Sequence, residues 1–203
     1  PTDALFMSKN NGFSETAETM GLIEDVHRIG WGTSLFDYDN DKDFDLFVVS
    51  GGIFNDEGLE NHNMFYRNDN GNFIESTKEA NLENISQSIG LATADYDNDG
   101  DIDLYVTNTT KHNNLYQNIL DNDNNWIRLR LRGLESNRLG IGAKVELKLG
   151  VDWLYDQIMG GMSYASQSDY AIHFGLGERN SIDEIVISWP SGIIQVVTDV
   201  DIN

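Results

Sequence analysis

A twelve-residue stretch occurs twice in this chain, as DYDNDKDFDLFV from Asp37 and as DYDNDGDIDLYV from Asp95, 58 residues apart. A duplication of that length confines the fold to architectures made by stacking similar units. The flanks keep the same order: FSETAETMGL from Phe13 parallels FIESTKEANL from Phe73, and MFYRN from Met64 parallels NLYQN from Asn114. Their offsets are 60 and 50, so the units differ in loop length, and the first is longer between about Gly51 and Asn61. The opening ALFMSKNNGF resembles MFYRNDNGNF, which makes about two units with part of another in front. A ring of such units needs four to eight of them. Further repeats before Pro1, or a second chain, are therefore expected to complete the sheet arrangement.

The repeats and the remainder differ in charge. Residues 1–125 hold 6 basic and 24 acidic side chains and residues 126–203 hold 7 and 10, within a net charge of -21. A boundary is expected at 125/126, after the polar stretch LDNDNN. From Trp126, Ile127, Leu129 and Leu131 alternate with Arg128, Arg130 and Arg132, the period of a strand with one buried face. Val145, Leu147 and Leu149 do the same against Lys144, Glu146 and Lys148, and Ile185, Ile187 and Trp189 against Glu184, Val186 and Ser188. Helical periodicity is nearly missing. The fold class that follows is all-β, with partial propeller-type blades followed by a C-terminal antiparallel, sandwich-like domain.

Each duplicated loop crowds carboxylates at alternate positions: Asp37, Asp39, Asp41, Asp43 and Asp45 in one, Asp95, Asp97, Asp99, Asp101 and Asp103 in the other. Such spacing is strongly repulsive unless a cation sits among the oxygens. Calcium, which takes six to eight oxygens, suits a turn of this kind. With the first Asp as position 1, the side chains at positions 1, 3, 5 and 9 and the carbonyl at position 7 (Asp43, Asp101) form the expected shell of two Ca2+ sites. An EF-hand would need Glu at position 12 and a following helix, whereas Val48 and Val106 stand there and β-branched, aromatic strands follow. Position 6 is Gly100 in one loop and Lys42 in the other. A left-handed turn strains a lysine by about 1 kcal/mol relative to glycine, so the Asp37 loop is expected to bind more weakly.

These loops, with the FYRN and LYQN strands, resemble FG-GAP or VCBS-type repeats, the calcium-binding units of integrin-like β-propellers. From Asn137, SNRLGIGAKVELKL, GGMSYASQSDYAIHFGLG and IDEIVISWPSG resemble the ASPIC/UnbV domain. The order of the two resembles that of the cartilage acidic protein-like family. The resemblance implies calcium binding, a secreted or cell-surface location, and a role in adhesion or recognition of a protein or polysaccharide ligand. It carries across no catalytic residues. Lys42 in place of the loop glycine departs from the family pattern.

Other features argue by exclusion. The net negative charge disfavours nucleic acid and anionic membrane surfaces, and no apolar run is long enough for membrane insertion. No cysteine is available for disulfides or thiolate chemistry. No nucleophile elbow, phosphate loop or zinc-helix motif is present, and GIGA at Gly140 lacks the setting of a dinucleotide loop. The regular alternation of the Asp residues assigns them to a cation and leaves no spare acid and base pair, so no enzyme activity is expected of this stretch. His62 and His112 occupy equivalent places before the FYRN and LYQN strands, His27 is isolated, and His173 reads as a hydrogen-bonded structural residue. Ser166, Gln167 and Ser168 read as turn and sheet-edge groups. The arginine stripe from Arg128 is expected to dock on the acidic repeats or to face solvent. The function expected is a calcium-binding recognition module. Two alternatives stand beside it: the non-catalytic part of a calcium-dependent polysaccharide-active enzyme, or a structural subunit of a surface assembly.

Overall fold

A computed structural model describes residues 4–22, 29–51 and 62–202. The expected lengthening between Gly51 and Asn61 lies almost wholly outside the described residues, as does His27. The first half consists of antiparallel meanders. Strands β1 (Phe6–Lys9) and β2 (Gly12–Glu15) make a hairpin. Strands β3 (Gly30–Phe36), β4 (Asp45–Ser50), β5 (Met64–Asp69) and β6 (Asn72–Glu75) form a four-stranded sheet in chain order. A three-stranded sheet follows, of β7 (Ser88–Ala94), β8 (Asp103–Asn108) and β9 (Asn114–Tyr116).

Burial on both faces explains the unbroken apolar run of β4. Phe47 and Val49 join Phe36, Phe65, Leu91, Leu104 and Val106 in the core between the two sheets. On the other face, Val48 packs with Met64, Tyr66 and Phe73 under Leu5, Met20 and Leu22. Each Asp loop is the link from the first to the second strand of its sheet, between β3 and β4 and between β7 and β8. The repeat therefore delivers both loops to the same end of adjacent sheets.

The second half is sandwich-like. Strands β10 (Asn125–Leu129) and β13 (Ile172–Gly177) form a two-stranded ribbon. It faces a sheet ordered β12 (Asp152–Gln157), β11 (Lys144–Leu149), β14 (Glu184–Ser188) and β15 (Ile194–Val197). The alternation read from the sequence sets the core: Val145, Leu147, Leu149, Ile185 and Ile187 meet Ile127, Ile172, Phe174 and Leu176. The strand expected over Trp126–Arg132 is shorter, because its partner β13 begins at Ile172 opposite Leu129. Beyond that point Arg130 swings to Asp169 at 2.7 Å and Gly133 N–H turns back to the Arg138 carbonyl.

The two halves are joined by more than their connection. The open edge of β7 is completed by hydroxyls: Leu91 N–H donates to Ser166 Oγ at 3.2 Å, Thr93 N–H to Ser168 Oγ at 3.0 Å, and Asp169 N–H returns a bond to the Thr93 carbonyl. The sheet-edge role read for these serines is what they perform. Ser168→Ala leaves the Thr93 N–H without its acceptor in a buried setting, a loss of about 1–2 kcal/mol. Equilibrium denaturation checks this, and an unchanged midpoint would contradict it.

Candidate metal centre and its cover

The Asp loops fold back on themselves because asparagines and one lysine accept left-handed backbone. In the first loop Asn40 has φ 60 and Lys42 φ 86; in the second Asn98 has φ 64 and Gly100 φ 98. Positions 4 and 6 therefore share a conformation in both copies. Asx turns tighten each loop: Asp41 N–H and Lys42 N–H donate to the two Asp37 oxygens at 3.0 and 2.9 Å, and Asp99 N–H donates to Asp95 Oδ1 at 3.1 Å.

Position 9 has a different task from the others. Asp45 accepts N–H bonds from Tyr38 and Asn68, both at 2.7 Å, while Asp103 accepts from Tyr96 at 3.0 Å and Asn118 at 2.8 Å. These carboxylates pin each loop to the asparagine that ends the YRN or YQN segment, Asn68 within β5 and Asn118 just after β9. That role for Asn68 and Asn118 was signalled only by their recurrence in the repeat.

The structure gathers Asp37, Asp39 and Asp45 in one group and Asp95, Asp97 and Asp99 in the other, each with one oxygen per residue within 4.8 Å of the rest. Asp41, Asp43, Asp101 and Asp103 lie outside these triplets. Asp41 instead accepts from Asp43 N–H at 2.9 Å, Asp43 from Asn70 N–H at 2.9 Å, and Asp101 from the Asn40 amide at 3.0 Å. Asp37 and Asp45 are buried, at 4% and 1% exposure, whereas Asp97 and Asp99 are exposed.

Burial carries a cost that shows in the acidities. It pushes the Asp37 carboxyl up to about 8 and that of Asp45 up to about 7, with neighbouring carboxylates adding to it. Asp39 and Asp41 shift upward for the same leading reason, and Asp101 rises to about 6. Among the described residues no basic side chain makes an ion pair in the first loop, and Asp39 Oδ1 is buried without a partner. A hard divalent cation supplies what such a donor set lacks, so the first loop fits calcium. The second gathers positions 1, 3 and 5 in place of 1, 3 and 9, with less burial.

The sign of the pH dependence follows. Folded-state acidities raised above 3.8 mean that the cation-free fold binds protons more readily than the unfolded chain. The stability these two carboxyls contribute is then fully present below about pH 4 and is lost as pH rises through about 7 to 8. Calcium needs the ionised carboxylates, so its affinity climbs over the same interval. Melting curves of metal-free and calcium-saturated protein between about pH 5 and pH 8 should diverge as pH rises; parallel curves would refute this.

The ribbon of the second half roofs both loops. Arg128 in β10 pairs with Asp95 Oδ2 at 2.5 Å and also donates to the Asp95 carbonyl and, at 2.9 Å, to Asn98 Oδ1. Of the expected arginine stripe, this residue docks on the acidic repeats, Arg130 pairs within its own half, and Arg132 is exposed. Trp126 lies against Gly100, where a Cβ would overlap its indole. Across the ribbon, Gly177 N–H donates to the Asn40 carbonyl at 2.8 Å, and a Cβ on Gly175 would overlap Asp37 Oδ2. The polar stretch before β10 is pinned as well, since the Asn122 and Asn124 amides both donate to the Asp39 carbonyl at 2.9 Å.

Asn40 is the hinge of this arrangement. Its amide nitrogen donates to the Gly100 carbonyl and to Asp101, which leaves Oδ1 facing His173 Nε2 at 2.7 Å. The histidine therefore donates from Nε2, and its buried Nδ1 has no partner. Burial holds it down near 4, and it stacks on Trp126, so it is a neutral structural group around neutrality. Of the repeat-related histidines, His62 is half-buried and His112 is exposed with its carbonyl accepting from Asn108. Neither falls in the acidic groups. No helix among the described residues is long and apolar enough to cross a membrane.

Comparison with known proteins finds two family models in the chain. Residues 37–106 match the FG-GAP-like repeat, and residues 133–203 match ASPIC and UnbV. Cartilage acidic protein 1 of Mus musculus is 24% identical over 250 residues, an alignment that covers 93% of this chain and 38% of the relative. The protein of the same name from Homo sapiens is 25% identical over 164 residues, covering 77% and 24%. That of Xenopus tropicalis is 24% identical over 249 residues, covering 94% and 38%. The chain thus spans less than two-fifths of the length of these relatives.

Proposed function

We propose that this chain, an FG-GAP-like repeat region followed by an ASPIC/UnbV region, is a calcium-stabilised recognition module of an extracellular or cell-surface protein. The observation that carries the reading is the buried Asp37, Asp39 and Asp45 group with its unpartnered Asp39 oxygen. Calcium bound there adds cationic charge where the fold has buried anionic oxygens. It locks the loop that the second half covers. The ion is structural in this reading, and the module is non-catalytic: the carboxylates at positions 1 and 9 of the first loop are engaged by backbone N–H groups. Cartilage acidic protein 1, by its name a cartilage protein, supports an extracellular setting. The partner is a surface protein or polysaccharide.

Calorimetric titration with calcium alone tests the metal reading. Saturable binding that Asp39→Asn weakens by about tenfold or more is expected, because that substitution removes a charged ligand. Absence of saturable heat, or an unchanged constant in the variant, would refute it. Recognition is tested by binding to immobilised polysaccharides and matrix proteins with and without calcium. Depolymerisation of a polysaccharide during that assay would favour an enzyme instead.

A further inference from the structure

The two loops share an acidic sequence but not an environment. Over the second, β10 places a permanent cation. Arg128 Nη1 reaches Asp95 Oδ2 at 2.5 Å and the Asp95 carbonyl at 3.1 Å, while Nη2 reaches Asn98 Oδ1 at 2.9 Å. The Asp95 side chain is 1% exposed and that of Arg128 22%, so the pair is screened little by water. The other Asp95 oxygen already accepts Asp99 N–H. Position 1 of this loop is thereby neutralised from within the chain.

Over the first loop the ribbon brings no cationic side chain. In register, Arg128 stands opposite His173 and Trp126 opposite Gly175. Of the β13 residues that meet the Asp37 loop, Gly175 and Gly177 bring backbone alone, and the first of these has no room for even a Cβ. His173 stands closest to an arginine-like position but bonds Asn40 and is held neutral by burial. Asp37 accepts only uncharged N–H groups from its own loop, Asp39 keeps a buried oxygen without a partner, and Arg67 acts on Asp39 and Asp41 through space without an ion pair among the described residues.

We propose that Arg128 is the resident cation of the Asp95 loop and makes the two loops unequal, the Asp37 loop being the high-affinity calcium site and the Asp95 loop a weak one. Arg128 acts here as a specificity-determining residue for the ion. The inference rests on the calcium reading of the first loop. It reverses the ranking expected from position 6, where only the turn residue was compared. Lys42 does bear the left-handed strain, but its side chain is exposed and runs along Gly177, whereas Arg128 sits directly on a loop carboxylate. A like charge at hydrogen-bond distance from a ligand outweighs the strain of one turn residue.

The test is calorimetric titration of the whole chain with calcium, beside Arg128→Gln and Arg128→Lys. The unsubstituted chain should show one strong site and one at least tenfold weaker, with Asp39→Asn removing the strong one and Asp97→Asn the weak one. Arg128→Gln should raise the weak affinity by about tenfold, and Arg128→Lys, which keeps the charge, should leave it weak. Two equal sites in the unsubstituted chain, or a weak site unmoved by Arg128→Gln in a protein with native circular dichroism, would overturn the proposal. If Arg128→Gln does not fold, Asp39→Asn alone isolates the second loop, and strong binding there overturns it. A chain that binds no calcium in any variant would instead sink the metal reading on which this inference stands.

Discussion

Removing divalent cations is expected to lower the thermal midpoint of this protein by roughly 5–11 °C. The size follows from mass action: calcium held at about one hundred times its dissociation constant stabilises the folded state by about 2.7 kcal/mol per site, and a domain of this length moves about 2–4 °C per kcal/mol. One strong site is enough to give that shift. The loss is not confined to the loop that holds the ion. Asp39 and Asn40 carry, on their carbonyls, the bonds from Asn122, Asn124 and Gly177 that attach the second half. Without the cation the first loop retains its repulsion among Asp37, Asp39 and Asp45, and those attachments weaken with it. Hydrogen exchange should therefore accelerate at Gly177 as well as at Asp41 and Lys42 when calcium is withdrawn. Calorimetry with chelator and with excess calcium reads the midpoint, and coincident curves would show that the carboxylates are held by their N–H bonds alone.

Much of this was legible because it is local. The duplication reveals the blades, and the alternation of Val145, Leu147 and Leu149 reveals a core face, since a strand's side-chain period needs no knowledge of its partners. The alternate Asp residues likewise mark a loop of gathered carboxylates from nine residues alone. What escaped is what depends on distant chain. Gly100 reads as a turn residue, and it is one, at φ 98; yet Trp126, from the other half, demands the same glycine by lying where its side chain would go. The left-handed turns at Asn40 and Lys42 fold the first loop back on itself, and asparagine composition alone does not announce them. Gly175 within FGLG looks like a flexible link in a strand, and nothing nearby in the chain hints that Asp37 lies beneath it. The arginine stripe was visible as a charge pattern, but only register separates Arg128, over a loop, from Arg130 and Arg132.

Gly175→Ala is expected to uncouple the two halves. The added methyl group would overlap Asp37 Oδ2 and come within 2.5 Å of the Asn40 backbone, atoms that cannot turn aside as the tip of a flexible side chain can. Either β13 lifts from the loop or the loop is pushed out of shape. In both cases the Gly177 to Asn40 bond and the His173 to Asn40 bond are strained together. Overpacking of this kind costs about 1–3 kcal/mol when side chains can yield, and here backbone must move, so about 3 kcal/mol or more is expected. The core of each half lies away from the clash and should survive, which predicts a second, separate unfolding step in place of one cooperative transition. Calcium affinity should fall with the docking, because the cover that keeps water from Asp37 has been lifted. Gly12→Ala is the control: its Cβ meets nothing within 4 Å, and a change within about 0.5 kcal/mol is expected there. A Gly175→Ala protein that melts in one step at the unsubstituted midpoint would show that the ribbon rests on the loop loosely, and that cation binding and the docking of the two halves are independent.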